Sequence, residues 1–277
     1  MKPLSLTQLS DSLFGLQAMS SSHSTVRKLV SALANNQDWN PPGDTPRRGN
    51  SAHIVSKSLY GLKNMSSEHS EVKYMITALC KVFRKSKIEA LSAQSVMHAC
   101  YGLKNLSNDS DDVRELLGHL AKQVDLGKEG LTTQQLGYSL YGLHKMILIP
   151  SDCDGIPSGD GYAVIREDDQ PELRALLLAL AKRVGASPML RSPKAVRRAL
   201  LGMNNMSSEY PEVQELLTQI VAKLPTRSDS RFQLSARDIS AGLFGLKNMK
   251  AEYTPVHEAI QFLTRQATSC PDPFMAQ

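Results

Sequence analysis

The chain has 277 residues, and 32 Lys and Arg against 27 Asp and Glu give it a net charge of +5. Leu, Met and Ala dominate, aromatic residues reach only 5%, and the four cysteines form no CxxC pair, which favours helices and excludes a zinc ribbon. No apolar run approaches the roughly 18 residues of a membrane-spanning helix, so we expect no membrane insertion.

One seven-residue text recurs along the chain and divides it into units. It is written LFGLQAM, LYGLKNM, CYGLKNL, LYGLHKM, LLGMNNM and LFGLKNM, centred on Gly15, Gly61, Gly102, Gly142, Gly202 and Gly245. The repeat length is about 40 residues, with extra residues in the first and fourth copies, which is typical of helical-repeat proteins.

Each unit is predicted to contain two helices. A hydroxyl residue that could cap a first helix precedes each glycine by ten positions: Ser5, Ser51, Ser92, Thr132, Ser192 and Ser235. Apolar residues then follow at helical spacing, as in Leu9, Leu13, Leu16 and Met19. A second apolar series begins at Val26, Val72, Val113, Leu173, Val213 and Val256.

The predicted units form a single domain over residues 1–277. Their bounds are 4–34, 51–83, 91–124, 131–184 with a loop insertion at 147–170, 189–224 and 234–265. One helix pair cannot bury its own apolar face, so neighbouring pairs must stack. We therefore predict an all-α fold, an α-solenoid of about six two-helix repeats.

Two further positions recur in the repeat. Glycine inside a helix costs about 1 kcal/mol relative to alanine, so six recurrences predict that a partner helix approaches the backbone there. Asparagines close the first helices at Asn64, Asn105, Asn205 and Asn248, and a left-handed helix ending is their predicted role. Cys100 replaces leucine in the apolar series and is predicted to lie in the core.

Motifs for catalysis and cofactors are missing from the sequence. It contains no phosphate-binding loop, dinucleotide glycine fingerprint, GxSxG or HExxH, so we expect a non-enzymatic protein without a cofactor or metal. Asp152, Asp154 and Gly155 resemble part of a calcium loop, but its closing glutamate is absent. Residues 147–170 are therefore predicted to be a surface loop. Residues 35–50, which are rich in Pro, Gly and Asn, are predicted to be a second surface loop.

Basic residues recur at two positions of the repeat. One row follows the second-helix anchor by one residue and consists of Arg27, Lys73, Arg114 and Arg174. The other follows the glycine by two residues and includes Lys63, Lys104 and Lys247. Stacking would align each row, and aligned cations could contact an RNA backbone. Because acidic residues such as Glu71 and Glu212 lie nearby, a solvated helix surface explains the rows equally well.

A variable polar pair precedes each glycine by eight and four residues, and both members share one helix face. The first unit has Thr7 and Asp11 there. A constant core beside a variable polar face is what a modular reader of RNA bases needs, although sequence drift on an exposed surface would produce it too. The candidate base-selecting residues are His53, Lys57, Gln94, His98, Gln134, Tyr138, Lys194, Arg198 and Arg237.

The text LSAQSVMHACYGLKNL, followed by DVRELLGHLAKQV, resembles the octotricopeptide-type repeats of organellar RNA-binding proteins. Gln94 and Gln134 stand at the glutamine of that family's repeat, whereas Tyr-Gly or Phe-Gly replaces its usual Trp-Ala. The resemblance implies single-stranded RNA binding in RNA processing, stability or translation, in a mitochondrion or chloroplast. No targeting peptide is visible in the opening residues MKPLSLTQLS.

A second function class explains the same repeats. The chain could serve as a protein–protein scaffold, or as a structural subunit of a large assembly such as a ribonucleoprotein. In either case we expect the partner, single-stranded RNA or protein, on the concave face. Neither end shows a clear polar cap, so end-to-end association, capping by a partner, or a longer array is also expected.

Overall fold

A computed structural model describes residues 3–36, 51–85, 89–150, 170–225 and 232–269 of the chain. These residues form twelve α-helices and no strand, and one short 3-10 turn, Leu103–Asn105, follows α5. The helices are α1 (Leu6–Gly15), α2 (Ser24–Asn35), α3 (Ser51–Gly61), α4 (Ser70–Lys85), α5 (Ala93–Gly102), α6 (Asp111–Asp125), α7 (Thr133–Tyr141), α8 (Pro171–Gly185), α9 (Pro193–Leu201), α10 (Pro211–Val221), α11 (Ala236–Gly245) and α12 (Thr254–Thr268).

The helices form two layers. The odd-numbered helices pack against one another in chain order, α1 on α3, α3 on α5 and so on to α11, and we call them the first-helix layer. The even-numbered helices pack in the same order from α2 to α12 and form the second-helix layer. The predicted all-α repeat solenoid is thereby confirmed.

The predicted caps start most first helices. The hydroxyls of Ser5, Ser92, Thr132 and Ser235 each accept a hydrogen bond from a backbone N–H of the first turn. Ser192 occupies the cap position of α9 without such a bond, and Ser51 is already the first residue of α3. Pro193 is the first residue of α9, and its ring fixes the backbone φ angle near the helical value.

The core runs along the seam between the layers. Leu9, Leu13, Leu16 and their equivalents in later units are buried, and Cys100 is fully buried among them as predicted. Burial raises the pKa of the Cys100 thiol to about 12. Met19 departs from the prediction because it is exposed, whereas Met65, the same position of the second unit, is fully buried.

The recurrent glycines lie where successive first helices touch. A Cβ on Gly61, Gly102, Gly142 or Gly202 would overlap with a backbone carbonyl of the first helix before it, and Gly245 meets the carbonyl of Leu200 in the same way. The predicted close approach is confirmed at these positions, and the approaching helix belongs to the preceding unit. Gly15 belongs to the first described unit, and no described atom lies within 4 Å of its Cβ position.

The recurrent asparagines join adjacent units, and the prediction of a left-handed ending is wrong. The described residues contain one non-glycine residue with positive φ, Gln170, so none of these asparagines is left-handed. The side-chain amide of Asn64 instead donates to the carbonyl of Gln17, 2.9 Å away. The amides of Asn105, Asn205 and Asn248 donate in the same way to the carbonyls of Lys63, His144 and Asn204. We call this row of bonds the asparagine ladder.

A second row of hydrogen bonds runs beside the first. The N–H of Ser66 donates to the hydroxyl of Ser21, and the N–H of Ser107 donates to the hydroxyl of Ser67, both over 2.9 Å. Further along, the N–H groups of Ile147 and Lys250 donate to the side chains of Asn108 and Ser208. We call these bonds the serine ladder, because serine is its commonest acceptor. Both ladders fix the register between units.

The two predicted surface loops lie largely outside the described residues. This applies to residues 37–50, which include the single Trp, and to residues 151–169, which include Asp152, Asp154 and Gly155. The described chain resumes at Gln170, which occupies the N-cap position of α8. The Gln170 side chain is buried, and its oxygen accepts a hydrogen bond from the side-chain amide of Asn108.

Candidate nucleic-acid interface

A row of aromatic rings crosses the first-helix layer. The residue just before each glycine is Phe14, Tyr60, Tyr101 and Tyr141 in the first four units. Successive ring centroids are 5.7, 5.9 and 6.2 Å apart, so the four rings form one continuous row. Each of the four aromatic residues is half-buried, so part of each side chain remains accessible.

Cations lie over these rings. The ammonium of Lys63 is 4.0 Å from the centroid of Tyr60, and that of Lys104 is 5.3 Å from Tyr101. Lys57 lies 5.2 Å from Phe14 in the same manner. These distances fall within the range of cation–π attraction. We call the four rings with Lys57, Lys63 and Lys104 the aromatic–cation ribbon.

The predicted base-selecting positions lie on the same first helices as this ribbon. The residues eight before the glycine are exposed in all six units: Thr7, His53, Gln94, Gln134, Lys194 and Arg237. At two junctions the residues four before the glycine contact each other across adjacent units. Lys57 pairs with Asp11 at 2.5 Å, and the guanidinium of Arg198 lies 3.8 Å from the ring of Tyr138. His98 lies against Tyr60, with ring centroids 4.7 Å apart.

Acidic residues are scarce on this layer. In the described first helices and the three residues after each glycine, the acids are Asp11 and Asp238, and both are paired, Asp238 with Arg197 at 3.0 Å. The cations of the same segments are Lys57, Lys63, Lys104, Lys145, Lys194, Arg197, Arg198, Arg237 and Lys247. The other acidic residues of the helices lie on the second-helix layer. The two layers therefore differ in charge, and the neutralisation that nearby acids suggested from sequence does not extend to the first helices.

Burial and nearby cations lower the pKa of two groups on this layer. Burial, together with Lys63 and Lys145, lowers the pKa of Lys104. Burial also lowers the pKa of His98, and His53, Lys57 and Lys63 add to the effect. Burial is the larger cause of both shifts, and the nearby cations act in the same direction because like charges disfavour a further positive charge.

The predicted backbone-contacting row on the second helices is placed differently. Arg27 donates to the carbonyls of Ser21 and Ser22, and Arg114 donates to those of Asn108 and Asp109. These guanidinium groups brace the turn between the two helices of their own unit.

The same row also joins adjacent units. Arg174 pairs with Glu212 of the next unit at 2.9 Å, and Arg27 lies 3.5 Å from Glu71. Lys73, the remaining member, is half-buried on α4. The second-helix row thus contributes to the junctions between units, and it lies in a different layer from Lys63, Lys104 and Lys247.

No family model, no curated protein and no solved structure matches this chain. Membership of the octotricopeptide-type family therefore remains a resemblance carried by the repeat text. The interface is interpreted from its own residues alone.

The aromatic residues before the glycines are the members of this surface that sequence reasoning missed. Their signal was present, because an aromatic residue precedes five of the six glycines and Leu201 precedes the other. Apolar residues surround this position on both sides, so the sequence alone does not distinguish it from the core positions of the repeat. Only the packing of α1, α3, α5 and α7 reveals that the rings share one accessible face.

The described residues contain neither a metal-binding cluster nor a membrane-spanning helix. Within the described ranges, no group of three or more His, Cys, Asp or Glu could hold a metal ion. Among the described helices, none is both long and apolar enough to cross a membrane.

Proposed function

We propose that this protein binds single-stranded RNA along the aromatic–cation ribbon of its first-helix layer. The observation that carries the proposal is the continuous row of accessible rings from Phe14 to Tyr141 with lysines beside them. Aromatic platforms with adjacent cations are the usual chemistry of single-strand binding, because every base has a stacking face and every linkage has a phosphate.

The charge difference between the layers supports the same surface. Phosphate binding requires cations that nearby carboxylates do not neutralise, and the first-helix layer meets this condition better than the second. Lys63 and Lys104 belong to the row that follows the glycine by two residues and is predicted to contact the RNA backbone. Both lysines also lie beside the rings. Phosphate and base contacts would therefore fall on one surface.

The polar positions eight before each glycine support selectivity between bases. They are exposed in every unit, they lie on the helices that carry the ribbon, and their chemistry changes from unit to unit, from His53 to Gln94 and Lys194. A repeat protein that reads bases uses two or three side chains per unit in this way. We therefore propose that the polar pairs select bases while the rings and lysines hold the strand.

The decisive experiment is a titration of the purified protein with single-stranded RNA at several salt concentrations. We expect the logarithm of the binding constant to fall linearly with the logarithm of the salt concentration, by about 0.7 per phosphate contacted. Duplex RNA of the same sequence should bind more weakly, because its bases are not available for stacking. Absence of binding at low salt would contradict the proposal.

A selection from a random RNA pool tests base selection separately. Enrichment of one motif of about six nucleotides, one per unit, would support modular reading. If RNA is retained without sequence enrichment, the proposal of RNA binding along the ribbon stands, and the proposal that the polar pairs select bases is wrong. Tight binding of a protein partner, with no RNA retained, would support the scaffold alternative.

A further inference from the structure

The N-terminal end of the described solenoid exposes residues whose equivalents in later units are buried, apart from the partly buried Met249 of the last unit. Met19 is 45% and Leu29 is 44% exposed, and Gly15 is open to solvent. At the position of Leu29, the later units bury Met75, Leu116, Leu176, Leu216 and Ala259 completely. Gly15, Met19 and Leu29 form what we call the N-face, which comprises parts of α1, α2 and the turn between them. The N-face has the composition of an internal junction without the neighbour that covers it.

The C-terminal end exposes the complementary set. Leu243 is 47% and Phe244 is 52% exposed, whereas Leu13, Leu59, Cys100, Leu140 and Leu200, which occupy the position of Leu243 in earlier units, are buried. An open pocket of about 360 Å³ lies beside Leu243 between α11 and α12, and it is lined by Ile239, Leu263 and Ala267 among others. We call this surface the C-face.

We propose that the C-face of one molecule binds the N-face of a second copy of this chain, head to tail. Inside the chain, the carbonyl two residues before one glycine packs against the glycine of the next unit, as Leu13 does with Gly61 and Leu200 with Gly245. Leu243 presents this carbonyl at the C-face, and Gly15 presents the open glycine at the N-face. The two faces therefore repeat an interface that the chain already forms five times.

The charges at these positions allow the contact. At internal junctions Asp11 pairs with Lys57, and Glu209 pairs with Lys250. By the same register, Ala241 of one copy would face Asp11 of the next, and Glu252 would face Ser20. No like charges oppose each other at these positions, so apolar packing is not offset by repulsion there.

The contact should be weaker than an internal junction. Ala18 stands in the first unit where later units have the donor asparagine of the asparagine ladder. Ala251 stands in the last unit where earlier units have the acceptor of the serine ladder. A junction between copies would therefore lack both ladder bonds that strengthen most internal junctions. Reversible association follows, and because the interface is heterologous it can extend beyond a dimer.

Sedimentation at increasing protein concentration tests the proposal. The monomer has a mass of 30.4 kDa, and the average mass should rise over an about hundredfold range of concentration. Gly15→Arg blocks the N-face without touching the fold, because its Cβ has open space, and Leu243→Glu charges the C-face. Each variant alone should remain monomeric. Their equimolar mixture should form a one-to-one dimer through the two intact faces.

Other outcomes would overturn the proposal. A wild type that stays monomeric removes it outright. Self-association of Gly15→Arg would indicate contact between two C-faces, and self-association of Leu243→Glu would indicate contact between two N-faces. Leu126→Glu is the matched control, because Leu126 is equally exposed but lies away from both ends, and loss of association there would assign the contact to a lateral surface. Circular dichroism confirms folding, and Met19→Lys replaces Gly15→Arg if that variant does not fold.

Discussion

Gly102 of α5 packs directly on the carbonyl of Leu59 in α3, with no room for a side chain between the two helices. The contact determines how closely two first helices approach, because a methyl group there would have to separate two backbones. Gly61, Gly142, Gly202 and Gly245 repeat it along the layer. The spacing of the aromatic rings, one residue before each glycine, depends on the same approach.

Gly102→Ala should destabilise the protein although alanine favours helices. The added Cβ overlaps with backbone, which cannot rotate away as a side chain can, so we expect a loss of about 1–3 kcal/mol. Urea unfolding monitored by circular dichroism measures it. Gly15→Ala is the matched control, since it adds the same atom in open space, and its stability should be unchanged or slightly higher. Equal stability of the two variants would contradict the packing argument.

Asn105→Ala should lower the free energy of unfolding by about 1 kcal/mol, because the carbonyl of Lys63 loses its donor from the neighbouring unit. The fourth unit offers the reverse experiment. Lys145 stands there at the asparagine position, so Lys145→Asn should add a bond to the carbonyl of Lys104 and raise stability by a similar amount. Thermal unfolding of both variants checks the asparagine ladder, and a destabilised Lys145→Asn would show that the register differs in that unit.

Tyr101→Ala should weaken single-stranded RNA binding by about 1–3 kcal/mol, the usual value of one base stacked on an aromatic ring. Tyr101→Phe keeps the ring and should bind as the wild type does. Tyr74→Ala removes an exposed tyrosine from α4 on the opposite layer and should have no effect on affinity. Fluorescence anisotropy with a labelled oligonucleotide measures all three. Equal losses in Tyr101→Ala and Tyr74→Ala would exclude the ribbon as the binding surface.

Lys104→Ala and Arg114→Ala should separate the two basic rows. Lys104→Ala removes one predicted phosphate contact, so the slope of affinity against salt should become shallower by about 0.7. Arg114→Ala should leave the slope unchanged and lower stability by about 1 kcal/mol, because its guanidinium braces the turn carbonyls of Asn108 and Asp109. Salt titrations and urea unfolding of both variants distinguish these effects. If Arg114→Ala also makes the slope of affinity against salt shallower, the second-helix row contacts RNA phosphates after all.

His98 should make stability depend on pH near neutrality. Its pKa is lowered by burial and by the nearby cations, so the folded state favours neutral His98 more than the unfolded state does. The stabilisation is present above the ordinary histidine pKa of about 6.5 and is lost as pH falls through the lowered value. Urea unfolding between about pH 7 and pH 5 should therefore show falling stability.

The matched variants for this effect are His98→Gln and His257→Gln. His98→Gln removes the titrating group that lies beside the ribbon residue Tyr60, and it should give a shallower fall in stability over the same pH range. His257 is exposed on α12, and its replacement should leave the wild-type profile in place. Identical profiles for the wild type and His98→Gln would mean that His98 makes no contribution.

The repeat text predicted the architecture because its information is local. Caps such as Ser92, the apolar spacing around Cys100 and the cost of a helical glycine all act within one unit or at its contact with the next. The asparagine ladder could not be predicted in this way, because the acceptor of Asn105 is a carbonyl 42 residues away. The buried Arg183, which donates to the carbonyls of Leu91 and Val124, depends on tertiary contacts in the same sense.

The candidate site was only partly predictable for a related reason. Sequence spacing shows that Lys63 and Lys104 are equivalent, but it does not show which side of the helix is accessible once units stack. It also cannot show that Arg114 turns inward to carbonyls while Lys104 remains beside a ring. The aromatic residues were hidden among apolar neighbours, and their common face follows from the order in which the first helices pack.

The layered contacts also determine how the molecule loses its structure. Because each helix packs chiefly on the equivalent helices of the units before and after it, an interior unit is supported on two sides and an end unit on one. In such arrays the end units open at a lower free energy than the interior units, because they lack one of the two neighbouring interfaces. Hydrogen exchange should then be slowest in α5 to α8 and fastest in α1, α2, α11 and α12.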